Sequence, residues 1–360
     1  MRNKISVIGN KFKADFGQMA FQLHFESANQ MTFAQILTEK LGQSETVQTT
    51  MVEIRPNVYM VYWKEKSGTT VTHLEDFQNE IVYTNITLSD NTFINLKGTL
   101  TNINNNKMDN KQKVVALLKS IETGASEPVS YINSNKYIQH NLGVADGLTG
   151  FGEVLQALPP NSAKANIVRV LQDGDFVFAH TEYNFFGPKV GFDIFRFEDD
   201  KIVEHWDNLA DITPPNPSGR TQFDGETQIT DVDKTEENKT SVINFVNEVL
   251  KDGKVEKLST YINPQKYIQH NSGVADGLDG LGAALDYFAK NELVMIYEKV
   301  HKVLGEGNFV LTISEGKFGR GEQVAFYDLF RLENGQIVEH WDVIEAIPKK
   351  ENWKNKNGKF

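Results

Sequence analysis

The chain has 360 residues, 39% hydrophobic and 24% charged, the balance of a soluble globular protein with two or three domains. A formal net charge of −11 leaves no basic field for a nucleic-acid partner, and the lack of cysteine excludes disulfides and thiol chemistry. The basic start at Arg2 and Lys4 meets Ser6, Gly9, Asn10 and Lys11 too early for a signal sequence, and no stretch has the roughly 18 apolar residues of a membrane helix, so a cytoplasmic protein is expected.

Residues 16–100 carry short runs of period-two apolarity separated by turn signals, the pattern of an all-β sandwich or barrel. Phe21, Leu23 and Phe25 open the series, and Val47–Glu53, Val58–Trp63, Thr69–Leu74, Ile81–Leu88 and Phe93–Leu100 continue it. Within 26–44, Phe33, Ile36, Leu37 and Leu41 fall at helical spacing, which predicts a helix or an irregular insert. Trp63, Glu65, His73 and Asp76 are candidates for a pocket in this domain, set against a plain reading of Trp63 as core and the others as surface.

An Asn-rich linker at 101–109 leads to a segment that the chain contains twice. YINSNKYIQHNLGVADGLTGF at 131–151 returns as YINPQKYIQHNSGVADGLDGL at 261–281, with 16 of 21 positions identical. DIFRFEDDKIVEHWD at 193–207 returns as DLFRLENGQIVEHWD at 328–342, with ten of 15 identical. Order and spacing are kept, which indicates two copies of a domain of roughly 110 residues. In the first copy Asp109 caps a helix that Gly124 ends, a second short helix spans Val129–His140, and a third spans Leu148–Leu158 before Pro159-Pro160. Four strands follow at about 165–171, 176–186, 190–197 and 202–209, and helices before an antiparallel meander give an α+β layout. A Pro-containing linker at 211–237 precedes the same order in the second copy. The tail, 349–360, is rich in Lys and Asn and is expected to be at least partly mobile. The domains read as 1–105, 110–218 and 238–348.

The series Tyr-Ile-Gln-His-Asn, Gly-Asp-Phe-Val-Phe-Ala-His, Asp-Ile-Phe-Arg and Ile-Val-Glu-His-Trp-Asp resembles the SnoaL-like branch of the nuclear transport factor 2-like fold. The strands at 53–77 and 93–100 resemble the lipocalin-like, calycin-type barrel of MoaF-like proteins. The resemblance implies a closed barrel followed by two cone-shaped domains, each with three helices on a curved antiparallel sheet. It also implies the chemistry of polyketide cyclases, in which an Asp and a His act as acid and base. Asp193 and His180 match that pair. The second copy keeps the aspartate as Asp328 and places Ile313 opposite His180, so activity is expected in the first copy.

His140 is a third catalytic candidate, and Phe178, Phe195, His205, Trp206, Asp207, His270, Asp328, His340 and Trp341 are candidate substrate contacts. Each has a plainer role: Asp193 as a structural carboxylate, His180 as a satisfied core histidine, Trp206 as filling of the cone, His140 as a helix cap. With no H-x-H or H-x-x-x-H spacing, neither a metal nor a cofactor is expected. Proton transfer on a small carbonyl compound follows, by an isomerase, a lyase or an aldol-type cyclase. A non-catalytic binder of small apolar ligands and an assembly scaffold are the alternatives. The two copies are expected to pair sheet to sheet as an intramolecular pseudo-dimer, with homo-oligomers possible in principle and neither nucleic acid nor membrane as partner.

Overall fold

The computed structural model describes residues 6–37, 40–103, 108–158 and 163–360. It divides into two compact units, Met1–Met108 and Asp109–Phe360. Among the described residues no helix is long and apolar enough to cross a membrane.

The first unit is a closed antiparallel barrel. Its strands are β1 (Lys11–Asp15), β2 (Ala20–Ser27), β3 (Gln30–Leu37), β4 (Lys40–Arg55), β5 (Val58–Lys64), β6 (Thr70–Asp76), β7 (Ile81–Thr87) and β8 (Phe93–Asn102), and β8 pairs back with β1. Alternate side chains such as Val61, Trp63, Val71 and Val82 turn inward to form the core. The helix or insert expected within 26–44 is replaced by β3 and the start of β4. The pairing register shifts between Ala34 and Ile36. Such a bulge breaks the period of two and spaces apolar residues as a helix would.

The second unit holds both copies. In the first, α1 (Asn110–Thr123) starts with a capping box between Asp109 and Gln112 and ends at Gly124 in the left-handed conformation. The expected helix over 129–140 is instead a 3-10 turn, Glu127–Tyr131, followed by the two-residue strand β9 (Ile138–Gln139). β9 runs parallel to a later strand of the sheet, and that pairing takes up backbone groups a helix would have satisfied internally. Next come α2 (Gly147–Ala157) and β10 (Lys164–Asp173), β11 (Phe176–Asn184), β12 (Pro188–Glu198) and β13 (Lys201–Asp211). Pro159 and Pro160 lie outside the described residues.

In the second copy, α3 (Thr235–Phe245) runs into a π-helical turn and is followed by α4 (Leu258–Tyr261), β14 (Ile268–Gln269), α5 (Gly277–Lys290), β15 (Val294–Glu306), β16 (Phe309–Gly319), β17 (Glu322–Glu333) and β18 (Gln336–Ala346). The strand orders, β10-β11-β12-β13-β9 and β15-β16-β17-β18-β14, are the same.

Each sheet is buried on both faces. The inner faces meet the helices, as with Val177, Ala179 and Phe195 against Val114, Leu117 and Leu118. The outer faces meet each other through one apolar cluster that includes Phe178, Phe192, Ile194 and Trp206 with Leu311, Tyr327, Leu329 and Trp341. Asn208, fully buried, donates from Nδ2 across this junction to the carbonyls of Ala325 (3.0 Å) and Val343 (2.7 Å).

The segments after each copy cross to the other copy. Asn216 Nδ2 donates to Gln269 O (2.6 Å) and Val274 O (2.8 Å) in the second copy. Asn355 Nδ2 donates to Asn141 O (2.7 Å) and Val144 O (2.9 Å) in the first. Within the tail expected to be at least partly mobile, Lys359 Nζ bonds Asp207 O and Glu345, and Phe360 stacks on His301 at 4.1 Å. Asn355, Asn357 and Lys359 direct side-chain donors to carbonyls of the first copy, while Lys349, Lys350, Lys354 and Lys356 are exposed.

Candidate functional site

The register sets which side chains share the inner face of each sheet. In the first copy Ala179 pairs with Asp193, and Asp193 with Asp207, so both carboxylates point toward the helices. His205, two residues before Asp207, shares that face. Its Nε2 lies 3.2 Å from Asp193 Oδ1, and its Nδ1 lies 3.1 Å from Gln139 Oε1. Tyr183 donates its hydroxyl to Asp193 Oδ2 at 2.6 Å, and Asn141 Nδ2 donates to Asp207 Oδ2 at 2.6 Å. Burial pushes the Asp193 carboxyl above its usual range, against the hydrogen bond and charge of His205. Burial and the charge of Asp193 push the Tyr183 phenol well up, so it stays a donor.

The second copy repeats the constellation. His340 Nε2 lies 3.0 Å from Asp328 Oδ1, His340 Nδ1 lies 3.1 Å from Gln269 Oε1, and Asn271 Nδ2 donates to Asp342 Oδ2 at 2.7 Å. The phenol comes from Tyr297, 3.2 Å from both oxygens of Asp328. Burial opposes charge on His340, but the hydrogen bond and charge of Asp328 outweigh it and hold the imidazole above its usual value. Burial lifts the Asp342 carboxyl, with the charge of Asp328 adding to it and that of His340 opposing.

The expected pairing of His180 with Asp193 is absent. His180 pairs in register with Phe192, one residue off, and therefore points to the outer face. There it stacks on Phe192 (4.5 Å) and its Nδ1 lies 3.1 Å from Arg169 Nη1. Burial, and then the charge of Arg169, lower its pKa well below the usual value, so it is neutral and Nδ1 accepts. Phe178 and Trp206 share that outer face, and Trp206 fills the junction between the sheets, not the cone. His140 stacks on Trp206 (4.7 Å) and bonds Glu204 and Gly358 O. His270 stacks on Trp341 (4.7 Å) and bonds Glu339, Thr221 O and Asp224. Of the expected contacts, Phe195, His205 and Asp207 face inward with Asp193, Asp328 and His340 face inward in the second copy, and Phe195 stacks on His205 at 4.6 Å.

Residues 8–101 match the MoaF-like family model, and residues 242–340 match the SnoaL-like domain model. The chain joins a MoaF-like barrel to a SnoaL-like domain. Solved structures similar to it include a nuclear transport factor 2-like protein of unknown function from Cytophaga hutchinsonii, 12% identical over 29% of this chain and 92% of that one, with a TM-score of 0.26. IdmH from Streptomyces antibioticus, a candidate polyketide cyclase, is 19% identical over 28% of this chain and 92% of that one, TM-score 0.25. An LEH-like epoxide hydrolase of M. tuberculosis is 18% identical over 31% and 85%, TM-score 0.26. The comparison with curated proteins gave no match.

The SnoaL-like domain carries the larger of the two inner cavities described, about 640 Å³. Leu281, Ala284, Leu285 and Phe288 of α5 and Met295 and Phe318 of the sheet line it, with Asp342 and Asn271 among its few polar groups. None of α5 is fully buried, because its apolar face covers this space instead of a packed core. Pro217 and Gln222, from the segment after the first copy, wall one side. The corresponding cavity of the first copy, lined by Asp193, His205 and Asp207, measures about 100 Å³, room for about three waters.

Sequence spacing argued against a metal, yet the fold brings together Asp193, His205 and Asp207, and likewise Asp328, His340 and Asp342, each set with one ligand-type atom per residue within 4.8 Å of the others. In both sets the imidazole Nε2 is already engaged by a carboxylate.

Proposed function

We propose that the protein is an acid/base enzyme that moves a proton on a small, largely apolar carbonyl compound, and that the SnoaL-like second copy holds the working pocket. The observation that carries this is Asp342, whose carboxyl is pushed up by burial on the wall of the 640 Å³ apolar cavity. A carboxylate with a raised pKa is a stronger base. Asn271 holds Asp342 Oδ2 and leaves Oδ1 to take the proton next to the carbonyl. His340, kept prone to charge by Asp328, lies beside it and offsets the negative charge that develops on the substrate. In an isomerisation the proton then returns from Asp342 to carbon; in an aldol-type step the enolate carbon attacks a second carbonyl of the substrate and the proton passes from Asp342 to the alkoxide oxygen so formed.

The reason for assigning activity to the first copy was His180 beside Asp193. With His180 on the outer face that asymmetry disappears, and cavity size favours the second copy. The shared outer-face cluster supports reading the two copies as an intramolecular pseudo-dimer, and the net charge of −11 suits a cytoplasmic site of action.

The test is hydrogen–deuterium exchange at the α-carbon of ethyl 2-methylacetoacetate, followed by NMR in D2O. The full chain is expected to exceed buffer, and Asp342→Asn to lose about 100-fold or more. Exchange no faster than buffer, or unaffected by Asp342→Asn, removes the catalytic reading. The apolar lining of the cavity would then support the binder alternative, with ligand affinity indifferent to Asp342→Asn.

A further inference from the structure

The lumen of the barrel changes character along its axis. At one end Phe12, Phe25, Tyr59 and Phe77 pack edge to face, with Phe77 at the centre, 4.7 Å from Phe12. This end is a closed apolar floor. Next to it β6 turns His73 and Glu75 inward, 4% and 0% exposed. His73 Nδ1 hydrogen-bonds Glu75 Oε1 at 2.9 Å, but Glu75 Oε2 has no partner. Thr84, the register neighbour of His73, is 2% exposed, and its Oγ1 also lacks a partner. The same holds for Thr49 Oγ1 beside Trp63, whose ring lies 4.8 Å from that of His73. Toward the other end the apolar side chains are only partly buried, as at Phe16 and Phe33, which contact His73 and Trp63.

A buried carboxylate oxygen without a donor is costly, and natural interiors rarely keep several orphaned polar atoms side by side. An eight-stranded barrel is just wide enough to be filled by side chains or to hold one small molecule. We propose that the barrel binds a small, largely apolar molecule end-on. Its hydrogen-bond donor, a hydroxyl or an amine, meets Glu75 Oε2 with Thr84 beside it, and its body lies against Trp63, Phe16 and Phe33. This site is separate from the pocket of the SnoaL-like domain and does not rest on the reading of that pocket.

The probes are 1-hexanol and hexylamine, which end in a donor, and 2-hexanone, which offers only an acceptor. Titration of the full chain is followed on the Trp63 indole and His73 imidazole NMR signals, so that binding elsewhere does not count. At least one donor-ended probe is expected to bind about tenfold or more tighter than 2-hexanone, and the tighter one identifies hydroxyl or amine. Glu75→Gln is expected to remove that preference. Thr84→Val, which keeps shape and charge, should weaken the donor-ended probe several-fold and so serves if Glu75→Gln does not fold. No shift of these signals with either donor-ended probe, equal affinity for all three, or a preference that survives these substitutions overturns the proposal and leaves water as the partner of Glu75.

Discussion

Tyr183 and Tyr297 deliver a phenol to equivalent aspartates from opposite members of the same cross-strand pair. In the first copy Tyr183 on the second strand of the sheet faces Ala165 on the first; in the second copy Tyr297 on the first strand faces Gly316 on the second. One ring fills the pair in either case, and a Cβ at Gly316 would lie 1.8 Å from Ile296 O. A hydroxyl kept on the aspartate while its residue changes strand points to a role for that contact. Tyr183→Phe removes a 2.6 Å hydrogen bond to Asp193, which is expected to cost about 1.5–3 kcal/mol and to raise the Asp193 pKa further, since the bond favours the ionised form. Carboxyl-carbon NMR titration measures it; an unchanged or lower pKa would contradict this view of the contact.

Asp193→Asn tests the buried carboxyl through stability. The folded pKa lies above the usual 3.8, with burial the main cause. The contribution of such a group is fully present below its unfolded pKa and is lost as pH rises through the folded pKa. The substitution removes that loss. The Tm of Asp193→Asn relative to the parent should therefore climb as pH goes from about 4 to 7. A difference that stays flat, or falls, would mean the carboxyl is not raised.

The parts of the fold that obey local rules were readable in the sequence. Asp109, Gln112 and Gly124 bound α1 because cap chemistry is local, and the meander followed from alternation and turn residues. His180 was misplaced because facing across strands depends on register: Ala179, not His180, pairs with Asp193, and a slip of one reverses every side chain. Tyr183 and Tyr297 escaped a copy-to-copy alignment because the ring changes strand. Gln139, Asn141, Gln269 and Asn271 were open to view inside the repeated Tyr-Ile-Gln-His-Asn, and their identity in both copies was the usable signal. The crossed segments carried a fainter one. Asn216-Pro-Ser-Gly-Arg220 and Asn355-Lys-Asn-Gly-Lys359 share Asn, Gly and a base at the same spacing, but only the fold shows that each grips the other copy.

That exchange makes the copies depend on one another. Asn216→Ala leaves Gln269 O and Val274 O without their donor, and Asn355→Ala does the same to Asn141 O and Val144 O. Each carbonyl left unsatisfied is expected to cost about 1–3 kcal/mol. Denaturant unfolding measures the loss. Asn216→Ala should in addition weaken ligands of the larger cavity, because Pro217 and Gln222 form part of its wall, whereas Asn355→Ala should leave them unchanged. Equal effects of the two on ligand binding would show that the segment after the first copy does not shape that cavity.

The pH dependence of exchange separates Asp342 and His340. As general base Asp342 must be ionised, so the rate falls as pH drops through a carboxyl pKa that burial has raised above 3.8. His340 supports the reaction when charged, so the rate also falls as pH rises through an imidazole pKa that Asp328 holds above 6.5. The profile of kcat/KM should be a bell with those limbs. Asp328→Asn removes the partner that holds His340 up, and burial then acts unopposed by it, so the alkaline limb should move to lower pH while the acid limb shifts less. Asp342→Asn should flatten the acid limb and nearly abolish turnover. Asp207→Asn, its counterpart beside the 100 Å³ cavity, should change the rate little. A larger loss from Asp207→Asn than from Asp342→Asn would return the reaction to the first copy.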